Sequence, residues 1–422
     1  MARVLLLATT TGYQTRAFGE AAAALGVELV FATDRCEVLE DPWGDGAIAV
    51  RFFDEAASVR AILEAAGDRP FDGVVAVGDR PTVIAAQVAR ALGLPGHSPE
   101  AAAAARDKRL TRERLNAAGL PGPAYRLVQI EDDPRVLAPG LPFPCVIKPT
   151  ALSASRGVMR VDDEEGFARA FERLRMLLRS PDVRAERSPA HEWVLVEEFV
   201  AGREFALEGL LHDGAFRTLA LFDKPDPLDG PFFEETIYVT PSSSNELLQD
   251  RVASTVARAA SVIGLTHGPV HAECRVHGGR VYVLEVAARP IGGLCARALR
   301  FEGSVSGASI SFEELLLRHA LGDDPDVWRR ERRASGVMMI PIPARGVYRG
   351  VTGVADAQRV EGVDAVIITA KPDQELIPLP EGASYLGFIF AHGARTGEAE
   401  RSLRRAHACL RFVVDPNVPM IR

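Results

Sequence analysis

The chain has 422 residues, of which 47% are hydrophobic and 25% are charged. This composition is ordinary for a globular protein, and the length predicts roughly two to three domains. Its 49 basic and 57 acidic residues give a formal net charge of −8, which excludes a general electrostatic attraction to nucleic acid or to an anionic membrane. No stretch has the length and the lack of charge that a transmembrane helix requires.

The N-terminal residues and the cysteines indicate the cellular compartment. The apolar run Leu5–Leu7 is too short for the core of a signal peptide, and it is better explained as a buried strand. The five cysteines show neither a disulfide framework nor metal-ligand spacing, so we expect a reduced, cytoplasmic protein. These cysteines are Cys36, Cys145, Cys274, Cys295 and Cys409.

Strand-like and helix-like runs alternate over residues 1 to about 95. Such alternation predicts a parallel α/β sheet covered on both faces. These sheets bind ligands at the carboxyl ends of their strands, here near Thr9–Thr11 and Gly78–Asp79. No GxGxxG motif occurs, which gives a dinucleotide site little support. The predicted strands are Val4–Ala8, Val27–Ala32, Ala47–Val50 and Gly73–Val77, and the predicted helices cover 15–25, 55–66 and 81–92.

The alternating pattern ends near His97, where a second domain is predicted to begin. Its first element is an alanine-rich helix, Glu100–Ala118, with Lys108 inside it. We expect an α/β domain at 1–98, a larger domain at 99–330 with a subdomain at about 120–200, and a small α+β domain at 331–422 without evident chemistry. The other predicted elements are strands Cys145–Pro149 and Trp193–Val196, a loop over 180–191, and helices near 164–179, 312–321 and 397–408.

A pair of glutamates is the most informative feature of the sequence. Glu273 and Glu285 lie in two strand-like runs that the turn His277–Arg280 separates, and Arg289 follows four residues after the second glutamate. Magnesium takes one or two carboxylates together with phosphate oxygens, so the pair predicts a metal–nucleotide site. The alternative is an edge hairpin with two solvated glutamates. Burial of Glu285 beside Val281 and Val283 argues against that alternative, because a buried carboxylate needs a partner.

The two glutamates can share a face only in certain hairpin registers, because side chains alternate along a strand. A two-residue loop, Gly278–Gly279, would pair Glu273 with Leu284 and place Glu285 on the opposite face. A three-residue loop, His277–Gly279, would pair Glu273 with Val283 and bring both glutamates to one surface. A metal site therefore requires the longer loop.

Several other segments have weaker signals when taken singly. Lys148 ends an apolar strand, where it is either a snorkelling surface residue or a cation above a ligand. The acidic pair Glu234 and Glu235 and the residue His271 are candidates for contacts with a substrate. A loop of small residues after Lys148 could admit phosphate oxygens to its backbone N–H groups, and Arg156 adds charge. This loop contains Ser153, Ala154, Ser155, Arg156, Gly157 and Val158.

The segment after the second glutamate also predicts an anion site. Arg289 and Pro290 precede Gly292 and Gly293, and the residues Leu294–Arg300 have a helical pattern. A helix N-terminus after two glycines would bind a carboxylate or a phosphate.

Taken in chain order, these residues resemble the ATP-grasp superfamily over about 100–320, and the preceding α/β segment resembles the domain that the family has in front. The resemblance implies an ATP-grasp fold in which ATP lies between two α+β subdomains, with Mg²⁺, or Mn²⁺ in its place, as the metal. The resemblance implies that Lys108 and Lys148 contact phosphates and that loop 153–158 closes over them. It implies that adenine is bound by Glu197, Glu198, Phe199 and Val200, with Glu204 near the ribose. It further implies that Glu273 and Glu285 bind magnesium and that Arg289 stabilises an acyl phosphate.

Within that superfamily, Glu285–Gly293 and Gly382–Ala391 resemble the L-amino-acid ligases, which join two amino acids into a dipeptide. Many ATP-grasp enzymes have Asn two residues after the second glutamate, whereas this chain has Ala287, which leaves the number of metal ions open. The resemblance implies small-molecule carboxylate and amine substrates, with His271 orienting the amine or taking its proton. It also implies a homodimer. A carboxylating or formylating enzyme of purine or biotin-dependent type and a non-catalytic nucleotide-binding protein are the alternatives.

Overall fold

The structure is a computed structural model that describes residues 1–9, 14–34, 47–304 and 307–416. Thr10 and Thr11, at the predicted ligand-binding edge, and Cys36 lie outside these ranges. The mixed α/β architecture with a parallel N-terminal sheet is confirmed. No helix within the described ranges has the length and apolar character needed to cross a bilayer.

The N-terminal sheet is parallel, with the strand order β3-β2-β1-β4. Its central strand has four consecutive fully buried residues, Val4–Leu7, because helices cover both faces. The predicted elements in this region are present with small shifts at their ends. They are β1 Arg3–Ala8, α1 Thr15–Leu25, β2 Glu28–Thr33, β3 Ile48–Ala49, α2 Glu55–Ala66, β4 Gly73–Val77 and α3 Thr82–Leu92.

The single helix predicted over 100–118 is wrong, because two helices occupy this segment. They are α4, Pro99–Arg106, and α5, Lys108–Ala117. Asp107 separates them in an extended conformation, and its carboxylate accepts a hydrogen bond from the backbone N–H of Arg109. An aspartate in this position is a strong N-cap, so Lys108 is the first residue of a helix rather than an interior one.

A four-stranded antiparallel sheet with the order β5-β8-β6-β7 forms the next unit. Phe167, Phe171 and Leu174 of its long helix are fully buried against this sheet. The segment 180–191, predicted as a loop, contains a short helix and a 3₁₀ turn at Pro189–Glu192. The elements are β5 Tyr125–Gln129, α6 Pro134–Leu137, β6 Cys145–Pro149, β7 Met159–Val161, α7 Glu164–Leu178, α8 Pro181–Arg184 and β8 Trp193–Glu198.

An eight-stranded sheet with the order β13-β12-β9-β10-β11-β17-β21-β19 joins the middle of the chain to its C-terminal part. The predicted boundary near residue 330 therefore falls within one continuous sheet, and the domain limits stay a prediction. The middle elements are β9 Arg203–His212, β10 Ala215–Asp223, β11 Ile237–Thr240, α9 Glu246–Ile263, β12 Gly268–His277, β13 Arg280–Ala287, β14 Arg300–Gly303, β15 Ser309–Ser311, α10 Phe312–Ala320 and β16 Trp328–Arg330. The last elements are β17 Ala334–Ile340, β18 Gly346–Thr352, α11 Val354–Gln358, β19 Val363–Ile368, β20 Glu375–Leu376, β21 Gly387–Gly393, α12 Thr396–Cys409 and β22 Arg411–Pro416.

The two faces of β9, β12 and β13 differ in polarity. One face is apolar and packs on α9 through residues such as Phe205, Cys274 and Val283. The opposite face has charged residues at alternate positions, as the two-residue period of a strand requires. The charged face contains Glu204, Glu208, His271, Glu273, Arg275 and Glu285.

Both predicted registers of the β12–β13 hairpin are wrong. The loop has two residues, Gly278 and Gly279, whose φ angles of 55° and 74° suit a tight turn that only glycine adopts readily. The register then shifts, so that Cys274 pairs with Val283 while Glu273 pairs directly with Glu285. Leu284 is thus the extra residue of a β-bulge. The bulge returns Glu285 to the charged face, whereas Val281 and Val283 belong to the apolar one.

A buried arginine of α5 holds this bulge. Arg112 is 3% exposed, and its two terminal nitrogens donate to the carbonyl oxygens of Val283 (2.8 Å) and Leu284 (2.7 Å). Its Nε donates to Glu197 of β8 at 2.5 Å. One guanidinium therefore joins the helix, the bulge and the neighbouring subdomain.

Replacing Arg112 should destabilise the fold strongly. Arg112→Met keeps most of the side-chain volume but leaves Glu197 and two carbonyls without this donor, and breaking a buried pair in this way costs about 3–5 kcal/mol. Urea denaturation would measure the loss. Arg109→Gln, on the outer face of the same helix, should change the free energy of unfolding by no more than about 1 kcal/mol; equal effects of the two substitutions would contradict a special role for Arg112.

Candidate active site

A cavity of 720 Å³ lies where the N-terminal sheet, the 120–200 subdomain, the central sheet and the C-terminal segment meet. Nearly all of the predicted site residues line it, although they are spread over almost 200 positions of the chain. Gly157 and Glu234 are the two exceptions. The predicted residues that line the cavity are Lys108, Lys148, Ser153, Ser155, Arg156, Val158, Glu197, Glu198, Phe199, Val200, Glu204, Glu235, His271, Glu273, Glu285, Arg289, Gly292 and Gly293.

Two lysines reach the cavity near the end of β6. Lys108 donates from Nζ to the carbonyl of Leu152 at 2.8 Å and lies 3.4 Å from the carboxylate of Glu285. Lys148 is buried, and its ammonium lies 2.5 Å from the carboxylate of Glu197, which also binds Arg112. The interpretation of Lys148 as a snorkelling surface residue is therefore wrong. Arg112 and Lys148 together engage both carboxylate oxygens of Glu197. Any contact of Glu197 with adenine would therefore come from its backbone groups.

The loop of small residues is fastened to the C-terminal segment. The backbone N–H of Gly157 donates to the carbonyl of Pro380 at 2.7 Å, and Nε of Arg156 donates to the carbonyl of Glu381 at 2.7 Å. Gly157 packs inward, where an added Cβ would lie 2.9 Å from a methyl group of Leu174. Its role is thus in the loop's fold rather than in the cavity wall.

The C-terminal segment also contributes directly to the cavity, contrary to the expectation that it has no chemistry. Met339 of β17 lines the cavity together with Ala383 and Tyr385, from the loop before β21. The ring of Tyr385 packs edge-on against Phe388, with 5.9 Å between the ring centroids. One wall of the cavity is therefore built by this segment.

Arg289 forms a bidentate ion pair with Asp79, which follows β4 of the N-terminal sheet. The two N–O distances are 2.9 and 3.0 Å, and Glu285 lies 3.9 Å away on the other side. The helix predicted over 294–300 is wrong, because only a four-residue 3₁₀ turn, Cys295–Ala298, is present before β14 begins at Arg300. Gly292 and Gly293 line the cavity, but such a short turn does not provide a helix dipole.

A buried lysine that the sequence analysis did not select lies at the centre of the charged face. The ammonium of Lys224 contacts carboxylate oxygens of Glu204, Glu235 and Glu273 at 2.8, 2.7 and 2.7 Å. These three carboxylates raise the pKa of Lys224 well above its usual value, although burial alone would lower it. The other oxygen of Glu204 accepts from Nε of Arg275 at 2.7 Å. Both oxygens of Glu204 are therefore engaged within the protein.

Only one member of the Glu234–Glu235 pair reaches the cavity. Glu235 accepts a hydrogen bond from the hydroxyl of Tyr238 at 2.6 Å. Burial and then the charge of Glu273 raise the pKa of Glu235 to about 7, so this carboxyl group is the member of the cluster that takes up a proton first. Glu234 is half-buried, turns away and meets the backbone N–H of Ile342, so a substrate contact from Glu234 is not supported.

His271 is a cation in this environment. Its Nδ1 is hydrogen-bonded to the fully buried carboxylate of Glu208, and its Nε2 lies 3.8 Å from Glu273. Burial would lower the pKa of His271, but the charge of Glu208 and their hydrogen bond outweigh that effect and raise the pKa to about 9. An imidazolium cannot accept a proton, so the expected role as a base for the amine is not supported, whereas attraction of an anion is.

The carboxylates fit a magnesium ion. Glu273 and Glu285 are direct cross-strand partners, with side chains roughly 5 Å apart at Cβ. Lys224, Tyr238 and His271 all contact Oε1 of Glu273. Hard carboxylate oxygens that face an open cavity are the ligands that magnesium prefers. Glu204, Glu235 and Glu273 also bring oxygens within 4.8 Å of one another.

Sequence reasoning missed several residues that organise this cavity. Lys224 had a signal, because Phe222–Pro225 repeats the pattern of an apolar strand ending in Lys-Pro that selected Lys148. Glu208 and Arg275 could have been found from the two-residue period of β9 and β12, once their pairing was known. Arg112 gave no signal, since a basic residue on an amphipathic helix is ordinarily solvated.

Removing the Lys224 ammonium should destabilise the protein in a pH-dependent way. Lys224→Met leaves three carboxylates without their shared cation, so we expect a loss of about 3–5 kcal/mol at pH 7. The loss should shrink at pH 5.5, because the variant's raised carboxyl pKa values then favour protonated, uncharged forms. Denaturant titrations at the two pH values would measure it. The exposed Lys371, changed to Met, should show neither effect.

The His271–Glu208 pair should make the free energy of unfolding depend on pH in the alkaline range. A folded pKa of about 9 lies above the ordinary value of 6.5, so this contribution is complete below about pH 6.5 and is lost as the pH rises through 9. The difference in unfolding free energy between wild type and His271→Gln should therefore fall between pH 6.5 and 9.5, by up to roughly 3 kcal/mol. A constant difference over that range would show that His271 is not charged.

Comparisons with known proteins agree with this architecture. The family described as "ATP-grasp N-terminal domain" matches residues 19–96, the "ATP-grasp domain" matches 141–298, and the "L-amino acid ligase C-terminal domain 2" matches 338–415. A D-alanine–D-alanine ligase of Gloeobacter violaceus is 31% identical over 242 residues, which are 54% of this chain and 72% of that protein.

Other relatives match over a smaller share of their length. The alanine–anticapsin ligase of Bacillus subtilis (strain 168) is 28% identical over 217 residues, 48% of this chain and 45% of its own, and the chain spans about half the length of the other such ligases that it matches. The crystal structure of L-amino acid ligase from Bacillus licheniformis has the same fold, with a TM-score of 0.79 at 24% identity, covering 98% of this chain and 99% of that one. The chain therefore belongs to the ATP-grasp superfamily, and it resembles the L-amino-acid ligases in its C-terminal domain as well as in its overall fold.

Proposed function

We propose that this protein is an ATP-dependent carboxylate–amine ligase that joins an amino acid, through its carboxylate, to an amine supplied by a second amino acid. The observation that carries the proposal is the content of one cavity: two lysines, a small-residue loop, a cross-strand glutamate pair and an arginine anchored by Asp79. Relatives that match the chain include an alanine–anticapsin ligase and a dapdiamide A synthase, 29% identical over 196 residues.

The reaction would proceed in two balanced steps. A substrate carboxylate oxygen attacks the γ-phosphorus of ATP, and the bond to the β,γ-bridging oxygen breaks to give an acyl phosphate and ADP. The amine nitrogen then attacks the acyl carbon, loses a proton and displaces inorganic phosphate, which leaves an amide. Water would compete for the acyl phosphate, so its exclusion is part of the catalysis.

The chain's own residues divide this work between the walls of the cavity. Lys108 and Lys148 would supply positive charge for the phosphates, and the loop 153–158 would cover them. Glu273 and Glu285 would hold magnesium, which would supply positive charge to balance the charge that develops on the leaving oxygens. Arg289, held by Asp79, is placed for the acyl phosphate and for the oxyanion that follows.

His271 takes a different part from the one that the family resemblance implied. As an imidazolium backed by Glu208, it would attract the carboxylate of a substrate or a phosphate oxygen. The proton of the attacking amine would leave by another route, and Glu235, whose pKa burial and the charge of Glu273 raise to about 7, is a cavity carboxylate suited to accept it. Glu235 is therefore the proton acceptor that this proposal names.

The alternative functions have less support. Carboxyaminoimidazole ribonucleotide synthetases and a biotin carboxylase also share the fold, at lower TM-scores of 0.65 to 0.69, and their likeness is one of fold. No signature for bicarbonate or formate is evident in the chain. A non-catalytic nucleotide-binding protein would not need a glutamate pair, yet this chain retains both members. Light scattering would measure the oligomeric state and so test the predicted homodimer.

The decisive experiment measures ADP release from Mg-ATP with amino acids offered singly and in pairs, with mass spectrometry of the products. A pair that releases ADP and yields a product lighter than both substrates together by one water would establish the ligase. Stimulation by bicarbonate or formate alone would instead favour a carboxylating or formylating enzyme.

Glu285→Gln should then lower turnover by at least about 100-fold, because it removes a negative oxygen ligand of the metal. Its circular dichroism and unfolding transition should stay close to those of the wild type. The control is Glu302→Gln, an exposed position on β14, which should keep full activity. Normal ligation by the Glu285 variant would refute the metal role of the pair.

A further inference from the structure

A cluster of three histidines lies at the end of the central sheet away from the nucleotide cavity. His212 is the last residue of β9, four positions or about 13 Å along the strand from Glu208. His267 immediately precedes β12, and His319 lies in the last turn of α10. His267 and His319 are 8% and 3% exposed. Nothing in the proposed ligase reaction uses them.

The three rings are close enough to share one ion. Each offers a ring nitrogen within 4.8 Å of those of the other two. Nδ1 of His212 lies 3.2 Å from Nε2 of His319, and the ring centroids are 4.3 to 5.3 Å apart. Tetrahedral zinc with Zn–N bonds of about 2.0–2.1 Å places its nitrogen ligands roughly 3.3 Å from one another. The His212–His319 distance already matches this spacing.

The hydrogen bonds of His267 leave one of its ring nitrogens without a hydrogen-bond partner in the part of the chain that the structure describes. Its Nδ1 lies 3.2 Å from a carboxylate oxygen of Asp213, and the backbone N–H of Asp213 is further away at 3.4 Å. A proton on Nδ1 satisfies the shorter contact and makes Nε2 the bare nitrogen. This Nε2 is buried and has no hydrogen-bond partner among the described residues, which is costly unless a ligand completes it.

A carboxylate behind a histidine is the usual outer support of a metal ligand. Such a partner fixes the tautomer and raises the basicity of the coordinating nitrogen. Asp213 is such a partner for His267, because its carboxylate contacts Nδ1 of that ring. A fourth histidine adds further support, since Nδ1 of His97 accepts from the backbone N–H of Thr266 at 3.2 Å and its Nε2 lies 3.3 Å from the carbonyl of Pro269. His97 is thereby committed to holding the His267 backbone.

We propose that His212, His267 and His319 form a binding site for a transition-metal ion, with Zn²⁺ the best match. Three imidazoles suit zinc better than magnesium, which prefers oxygen ligands like those of the nucleotide cavity. Water would complete four-coordination. The stacked rings of His267 and His319 must tilt apart for both nitrogens to reach the ion. The site is thus distinct in place and in chemistry from the carboxylate cluster.

An ion at this position would fasten three elements together. His212 ends β9, His267 immediately precedes the neighbouring strand β12, and His319 belongs to α10. That helix in turn abuts the N-terminal sheet: an added Cβ at Gly73, the first residue of β4, would lie 2.7 Å from the carbonyl of Ala320. The metal would therefore stabilise the junction between the N-terminal and central sheets, and its role is structural.

Metal content and stability of the full-length protein test this proposal. Chelator-treated protein is given one equivalent of ZnCl₂ in excess Mg²⁺, which occupies the carboxylates, and is then desalted. We expect about one zinc per chain to remain, and a rise in Tm of roughly 3 °C or more over the chelated form. Cobalt(II) in place of zinc should give the intense visible bands of a four-coordinate ion. Absence of retained zinc from the wild type would overturn the proposal.

Matched variants distinguish this site from adventitious binding. His267→Gln and His319→Gln should each lose most of the zinc and the cobalt bands, while His407→Gln on α12 and Glu273→Gln in the cavity should retain them. Zinc retained by His267→Gln and His319→Gln as by the wild type would refute the site. Should those two buried substitutions prevent folding, the partly exposed His212→Gln decides: loss of zinc with an unchanged Tm in chelator supports the site, and retention refutes it.

Discussion

The contact of one buried guanidinium with two strand carbonyls determines the geometry of the whole cavity. Arg112 holds Val283 and Leu284 in a bulged register, and the bulge turns Glu285 toward Glu273. The same side chain binds Glu197, which in turn binds Lys148 on β6 of the 120–200 subdomain. The carboxylates and the nearby cation are thus set by a residue that does not line the cavity itself.

Charge balance is the second constraint on this site. A sheet face with four acidic side chains in a partly buried setting would be unstable without nearby cations, because each desolvated carboxylate costs several kcal/mol. Lys224, Arg275 and His271 supply that compensation from the same face. The balance is incomplete, which leaves Glu235 near its protonation midpoint and leaves room for a divalent cation.

The sequence allowed the fold and most cavity residues to be predicted, because strand patterns and ordered motifs are local. The elements of the N-terminal sheet could be predicted because strand-like runs alternate with helix-like runs. The candidate site residues Glu273, Glu285 and Arg289 could be predicted from their spacing. The hairpin register failed, since the bulge depends on Arg112, some 170 positions away. The charge of His271 likewise depends on Glu208 from another strand. The break at Asp107 was different: its capping signal was present in the sequence and was overlooked.

The bulge at Leu284 also restricts how this hairpin can vary in length. Between the turn and the bulge, removing or inserting a single residue would exchange the two faces of β13 and send Glu285 into the apolar layer under α9. A change of two residues would preserve which face each side chain occupies. Length variation among related hairpins of this kind should therefore obey parity, with even changes tolerated and odd changes accompanied by loss or relocation of the bulge.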